Sequence, residues 1–468
     1  MSAYSGKRVT VMGLGLFGGG VGIARFFAEN GAQVTVTDRR SEKDLKPSMQ
    51  ELSGLPVRYV LGKHDAADFR SANIVAVNPG VPEDHPLIVM ARGAGAQIER
   101  SINLLFKLTP RNPKLAVTGS NGKSTTTALL GAMLALHDSR TLVGGNLGGC
   151  LLAQTRNLPA RVPVVLELSS FMLEGMRELG ESPHVAIVTN LSPNHLDRHV
   201  TMENYAAAKK NILLFQKEGD VAILNADDPA LAGWDKLTPA RIVRFSAKHE
   251  LEGDAAFLDR DKLIVRMGSY EEVVAMRQML RLPGAHNAAN ALAAAAAALA
   301  YGVRPWQVAE ALATFSGLPH RLEMVARTPS AVTFYNDSIA TTPESVICAL
   351  SSFDGPITLI AGGSDKGTPF DELGLVIARK VRRLILLGVT APKIEEAVVR
   401  ASHELHRGPE IAHVRDLEQA AREAATGALA GEVVLLSPAC ASFDMFRNFQ
   451  ERGEVFSALA RRLAQCNA

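Results

Sequence analysis

The sequence predicts an α/β protein with parallel sheets, divided into three domains. Three observations carry this. Short β-branched runs alternate with helical stretches along most of the chain, which is the pattern of βαβ units. Glycine turns follow strand-like runs directly, once at Gly13 and again at Gly119. The length of 468 residues exceeds the size at which one hydrophobic core keeps growing.

Taken in order, KRVTVMG, QVTVTD and NIVAVNPG read as buried strands, with GIARFFAENG and HPLIVMARGAG between and after them. PRNP at 110–113 reads as a linker that closes a first domain of residues 1–109. LAVTG then enters the second glycine turn as a strand, and STTTALLGAMLAL follows as a helix. VVLELSS, HVAIVTN and DVAILNADD are further parallel strands. The small side chains of NAANALAAAAAALA fit a tightly packed helix and carry no chemistry of their own. A third pattern, VTFYND, ITLIAGG, RLILLG and GEVVLLSPA, follows SGLPHRLE and ends in a helix. This places the boundaries at 110–316 and 317–468.

Composition narrows the function. Lys plus Arg number 50 against 48 Asp plus Glu, so no polybasic surface for nucleic acid is indicated and the partners are small molecules. Cys150, Cys348, Cys440 and Cys466 form no C-x-x-C pair, which argues against both a zinc site and a disulfide framework. MSAYSGKRVTVMG enters a strand without an apolar signal core, and no stretch approaches the ~20 apolar residues of a membrane span. A cytoplasmic protein without a membrane segment is expected.

GLGLFGGG sets Gly13, Gly15 and Gly18 in G-x-G-x-x-G register after a strand, with Asp38 closing the next strand. That is the dinucleotide fingerprint, whose helix N-terminus accepts a diphosphate. The residues leave three readings open: NAD(P), another nucleotide diphosphate, for which Arg39 and Arg40 would suit a more anionic group, or a structural glycine turn. For Asp38 a strand-end turn residue is the alternative.

TGSNGKSTT is more specific. The usual G-x-x-x-x-G-K-[ST] loop would put its first glycine at 117, where this chain has Val117; here the glycine is Gly119. Between a strand and a helix, the amides of Gly119, Ser120, Asn121, Gly122, Lys123, Ser124 and Thr125 would cradle the β- and γ-phosphates, with Lys123 neutralising them and the Ser124 hydroxyl on Mg²⁺. ATP or GTP is therefore consumed, and no N-K-x-D base-reading element of a GTPase switch is found. Asn146, Glu167 and His195 stand at strand ends nearby. Glu167 suits a Mg²⁺ ligand, with a solvated or capping carboxylate as the alternative; His195, beside Asp197 and Arg198, could be a functional group or simply a loop contact.

Together these motifs resemble the Mur ligases, which add amino acids to the peptide stem of peptidoglycan precursors. TGSNGKST, LELSSF, NHLDRH followed by YAAAK, HNAAN, and PHRLE followed by NDS carry the resemblance. GLGLFGGG, VTDRR, NDSIATTPES, GGSDKG and SPACASFDMFRNFQERG are similar to the members that attach D-glutamate to UDP-N-acetylmuramoyl-L-alanine. The shortened glycine loop is a form this family uses.

The resemblance implies an N-terminal Rossmann-like domain for the UDP group, a central P-loop ATPase domain and a C-terminal Rossmann-like domain for ATP and the amino acid. It implies ATP-driven ligation through an acyl phosphate by a monomer, with Lys123, Glu167, His195 and Lys209 as catalytic residues. Two Mg²⁺ ions would be held by Ser124, Glu167, His195 and a carbamylated Lys209, although Lys209 by itself reads as a solvated helix face. Asn287, Asn290, Arg321 and Asp337 are expected at ATP, with a structural hydrogen-bond role as the alternative for the two asparagines. Leu16, Phe17, Gly18, Asp38, Arg39, Gly80, Asn146, Thr341, Lys366, Ser442 and Phe449 are expected at the substrates. For Ser442 a tight strand-to-helix turn is the plainer alternative.

One position departs from the pattern. Many family members have N-D-S-K-A-T where this chain has NDSIAT, so Ile339 replaces a lysine and Lys366 is the remaining cation for the amino acid. A ligase with another acceptor, L-glutamate, and a nucleotide-switched binding protein are the alternative functions.

Overall fold

The computed structural model describes residues 2–15, 18–282, 284–365 and 367–466. Leu16, Phe17 and Lys366, expected at the substrates, lie outside the described residues. The chain forms two compact units, Met1–Met279 with Ala288–Ala313, and Leu280–Asn287 with Thr314–Ala468.

The first unit contains two sheets. In the first, β1 (Arg8–Met12), β2 (Gln33–Asp38), β3 (Val57–Leu61), β4 (Ile74–Val77) and β5 (Gln97–Glu99) pair in parallel in the order β3-β2-β1-β4-β5. The apolar runs of β1 and β4 are buried on both faces, as helix-covered parallel strands require. The helix Gly19–Glu29 buries Val21, Ile23, Ala24 and Phe27 against this sheet. Its order reverses between β1 and β4, so Gly13–Gly15 and Asn78–Gly80 meet at the carboxyl ends of those strands, where open α/β sheets bind ligands.

The second sheet comprises β6 (Lys114–Thr118), β7 (Leu142–Gly145), β8 (Val164–Glu167), β9 (Val185–Val188), β10 (Val221–Asn225), β11 (Arg241–Ser246), β12 (Ala255–Asp259), β13 (Lys262–Met267) and β14 (Tyr270–Met276). Its order is β14-β13-β12-β11-β10-β9-β6-β8-β7. Pairing is parallel from β7 across to β12, after which β13 and β14 return antiparallel as an edge. The alanine-rich helix Ala285–Tyr301 has Ala291 and Ala293 through Ala298 at 0–1% exposure, so small residues here permit close helix packing.

The segment at 110–113 is fastened rather than slack. Asn112 Nδ2 donates to the carbonyls of Pro159 and Val162, and the Val164 amide donates to Pro113. Both sheets belong to one compact unit.

The second unit holds β15 (Glu323–Arg327), β16 (Thr333–Asn336), β17 (Ile357–Ala361), β18 (Val381–Leu386), β19 (Glu410–His413) and β20 (Val433–Leu436), in the order β15-β16-β20-β17-β18-β19. Only β15 runs antiparallel to its neighbour among the described strands of this sheet. Leu359, Leu384 and Leu435 are fully buried beneath the covering helices.

Candidate active site

The carboxyl ends of β6, β8 and β9 lie side by side in the second sheet, and each delivers part of one site. Val117 is still inside β6 and fully buried, so the turn can begin only at Gly119. This explains the displaced glycine. Gly119 has φ +150°, and a Cβ there would meet the Thr189 hydroxyl; Gly122 has φ +79°, and a Cβ would meet Asn290 Oδ1. Both glycines are imposed by close approach as well as by backbone conformation.

The loop is stitched to the end of β9. The Ser120 amide donates to the Asn190 carbonyl at 2.9 Å and the Asn121 amide to Asn190 Oδ1 at 2.8 Å. Thr189 Oγ1 donates to the Asn121 carbonyl at 2.6 Å. Two amides that the sequence assigns to phosphate are thus engaged by Asn190, while those of Ser124 and Thr125 belong to the first turn of the helix Lys123–His137, whose N–H groups have no acceptor inside the helix. Lys123 Nζ donates to the Ser120 carbonyl at 2.8 Å. Thr126 Oγ1 lies 3.3 Å from Asn290 Oδ1, so Asn290 abuts the loop.

Glu167 ends β8 at 1% exposure. Asn146 Nδ2 donates to its Oε1 at 2.7 Å, and Oε2 is buried without a hydrogen-bond partner. A buried carboxylate oxygen left in this way is costly unless a cation faces it. Lys209 is also 1% exposed, which corrects the solvated-face reading taken from its residue neighbours alone. Its Nζ donates to the Gly119 carbonyl at 2.7 Å and lies 4.6 Å from the Tyr205 ring centroid. Burial, with Lys123 adding repulsion and Glu167 opposing it, lowers the Lys209 ammonium to about 6. A neutral amine therefore stands beside the loop near neutral pH.

His195 is exposed, adopts φ +54° and caps the helix Leu196–His199; its ring lies 5.0 Å from that of Phe171. Among the described residues no three His, Cys, Asp or Glu side chains gather into a metal cage. Mg²⁺ does not need one, because it keeps waters and takes one or two carboxylates plus substrate phosphates. The orphaned Glu167 oxygen and the Ser124 hydroxyl at the start of the helix after the loop are of the donor type it takes.

Within the same unit a cavity of about 470 Å³ opens between the two sheets. Its walls include Gly15, Asp38 and Gly80 from the first sheet, and Asn146, Ser169 and Phe171 from the second. Asp38 is 8% exposed and accepts from the amides of Leu14 at 2.9 Å and Gly15 at 3.1 Å. It closes the fingerprint turn itself, and its other oxygen accepts from the Arg40 amide. Arg39 is exposed beside it, and Gly18 has the left-handed φ of +79° at the helix start.

In the second unit, described by itself, Asp337 is buried; its Oδ2 accepts from Ser437 Oγ at 2.7 Å and its Oδ1 from the Leu322 amide at 3.1 Å. Burial raises its carboxyl to about 7 against these hydrogen bonds and the neighbouring Arg321. Arg321 Nε is buried without a partner. Asn287 belongs to this unit and Asn290 to the first, so the two asparagines fall on opposite sides of the unit boundary. Ser442 is buried in a turn where its carbonyl accepts from the amides of Met445 and Phe446. Thr341 follows half-buried Ile339, and the Phe449 carbonyl accepts from Ser338 Oγ at 2.8 Å.

Several residues that shape these sites carry no sequence signal of their own. Asn190 and Tyr205 hold the phosphate loop. Arg452, 2% exposed, donates to the carbonyls of Ser338 and Cys440, binding the turn after β16 to the turn after β20. Burial pushes its guanidinium down to about 10.

Comparison with known proteins agrees along the chain. The family descriptions "Mur ligase MurD-like, N-terminal domain", "Mur ligase middle domain" and "Mur ligase, glutamate ligase domain" match residues 7–99, 117–298 and 320–440. The UDP-N-acetylmuramoylalanine–D-glutamate ligase of Roseiflexus sp. is 46% identical over 97% of this chain and 98% of its own length. That of Symbiobacterium thermophilum is 43% identical over 98% of each. Among solved structures, the UDP-N-acetylmuramate–alanine ligase MurC of Thermotoga maritima superposes with a TM-score of 0.61 at 22% identity, covering 97% of this chain and 98% of that one, a likeness of fold alone. This chain belongs to the Mur ligase family.

Proposed function

We propose that the chain joins D-glutamate to UDP-N-acetylmuramoyl-L-alanine with consumption of ATP, as a cytoplasmic step of peptidoglycan precursor synthesis. The observation that carries this reading is a chain of contacts in the first unit: the cavity that begins at the fingerprint turn reaches Asn146, Asn146 holds Glu167 with its orphaned oxygen, and buried Lys209, which Glu167 attracts electrostatically, donates to Gly119 of the glycine loop. A nucleotide-linked substrate lying along that cavity would bring its far end to the phosphate loop. The relatives named above, at 43–46% identity over nearly the whole chain, carry this activity in their names.

The division of labour follows the sheets. Residues 1–109 bind the UDP group, with Leu16, Phe17, Gly18, Asp38, Arg39 and Gly80 as its contacts; residues 110–316 bind ATP; residues 317–468 bind D-glutamate. Asn287 and Asn290 of the central segment and Arg321 and Asp337 of the third serve ATP, and Thr341, Lys366, Ser442 and Phe449 serve the amino acid. The protein acts as a monomer in this reading.

In the chemistry, a carboxylate oxygen of the precursor attacks the γ-phosphorus of ATP, the bond to the β-phosphate oxygen breaks, and ADP leaves. The acyl phosphate is then attacked at its carbonyl carbon by the D-glutamate amine, which expels phosphate and loses a proton. Phosphoryl transfer of this kind depends on positioning and on charge neutralisation. Lys123 supplies a fixed charge at the transferring group, and the amides of the first helical turn supply dipoles. Asn146 keeps Glu167 turned so that Oε2 faces the site. Mg²⁺ held by Ser124, Glu167 and His195 would screen the phosphate charges when bound.

The neutral amine of Lys209 is suited to carbamylation. Its nitrogen attacks CO₂, forms the N–C bond and releases one proton, which turns a would-be cation into an oxygen ligand for a second Mg²⁺. The test of the whole reading is phosphate release from ATP. It should require UDP-N-acetylmuramoyl-L-alanine and D-glutamate together. Preference for L-glutamate, or release independent of the precursor, would refute it.

A further inference from the structure

His195 immediately precedes the helix Leu196–His199, and three of the residues at 195–199 close on one aromatic ring, that of Phe171. The His195 ring is tilted against it at 5.0 Å, the His199 ring stacks on it at 5.4 Å with 7° between planes, and the Arg198 guanidinium carbon is 5.6 Å from its centroid. Phe171 lines the cavity between the sheets.

His199 makes further connections in two directions. Toward the helix Ser170–Met176, its Nε2 is 2.9 Å from Ser170 Oγ and its Nδ1 is 3.3 Å from Glu174 Oε1. Toward the helix Met202–Lys210, its ring lies 5.2 Å from that of Tyr205, whose hydroxyl is 3.1 Å from Ser120 Oγ in the phosphate loop. The order serine, histidine, carboxylate is that of an acyl-transfer relay. Ser170 is 1% exposed and His199 4%, so no substrate reaches this serine and the contacts have another use.

We propose that His199 is a positioning residue that locks the helix bearing the cavity wall to the helix bearing Tyr205 and Lys209, and so sets where the precursor carboxylate stands relative to the phosphate loop. The inference rests on the ligase reading above. Each ligand is bound by its own elements, so loss of the lock leaves binding intact and spoils alignment. A misplacement of about 1 Å from a residue outside the chemistry can cost ~10² in rate.

The test compares His199→Phe, which keeps the ring but removes both polar contacts, with His199→Gln, whose amide reaches toward Ser170. Measured are kcat, KM for ATP, D-glutamate and the precursor, and calorimetric precursor affinity without ATP. His199→Phe should lose at least tenfold in kcat with every KM and the affinity within threefold, and His199→Gln should recover part of the loss. If His199→Phe does not fold, a threefold or greater fall in kcat at constant KM in His199→Gln supports the role, and unchanged kcat overturns it. A folded His199→Phe with kcat within twofold of wild type, or with its defect confined to precursor binding, also overturns it. A wild type inactive with these substrates overturns the ligase reading and this role together, whereas an active wild type with an unaltered variant overturns the role alone.

Discussion

Asn146 and Glu167 meet at 2.7 Å across the ends of β7 and β8, and the contact occupies one carboxylate oxygen while the other stays buried without a partner. An uncompensated buried charge is destabilising until a cation arrives. Glu167→Gln should therefore raise the melting temperature in EDTA while lowering ligation by 10² or more, an estimate in line with removal of one preorganised electrostatic contact. Calorimetric unfolding with and without Mg²⁺ checks this. Equal Mg²⁺ stabilisation of wild type and variant would remove Glu167 from the metal site.

Lys123→Ala should leave the fold in place, since the Lys123 side chain donates to a loop carbonyl and lies outside the hydrophobic cores. Its loss should cost ~10² to 10³ in kcat by removing the charge at the transferring phosphoryl group. Steady-state phosphate release on the folded variant decides the point. Near wild-type turnover would end the role.

How much of this was legible beforehand differed by residue. The strands carrying Gly13, Gly119 and Glu167 announced themselves because buried parallel strands are uninterrupted apolar runs. The antiparallel strands β13 and β14 at one end of the sheet did not, since RMGSYEEVV mixes charge with β-branched residues and the exposed edge strand β14 imposes no strict alternation. Lys209 misled for a different reason. In YAAAKK the alanines mark no buried face, so nothing local says that Lys209 turns inward against Tyr205. Asn190 and Arg452 act through distant turns, and spacing along the chain carries no trace of that.

Lys209→Ala should abolish activity if a carbamate forms there, and short carboxylic acids should restore part of it by filling the vacated space with an oxygen ligand. The comparison is turnover with and without added acetate or formate. Full activity of the alanine variant refutes the carbamate, and rescue by acetate but not by a neutral amide of similar size identifies the carboxylate as the missing group.

Asp337 gives a pH-dependent expectation whose sign follows from its environment. Burial raises the native carboxyl from the ordinary 3.8 to about 7, so the folded chain holds a proton that the unfolded chain has released. The stabilisation linked to this proton is complete below the unfolded value and is lost as pH rises through about 7. Each unit of such a shift corresponds to about 1.4 kcal/mol. Asp337→Asn keeps a group of similar shape whose oxygen still accepts from the Leu322 amide and whose NH2 donates to the Ser437 hydroxyl, but which cannot ionise. Relative to wild type, the variant should gain stability between pH 4.5 and 7.5 and change little beyond that. Urea unfolding followed at both pH values, with the difference between the two proteins as the readout, cancels the titration of every other group. Parallel stability profiles would show that Asp337 is ionised in the folded protein at pH 4.5, and that Arg321 outweighs its burial.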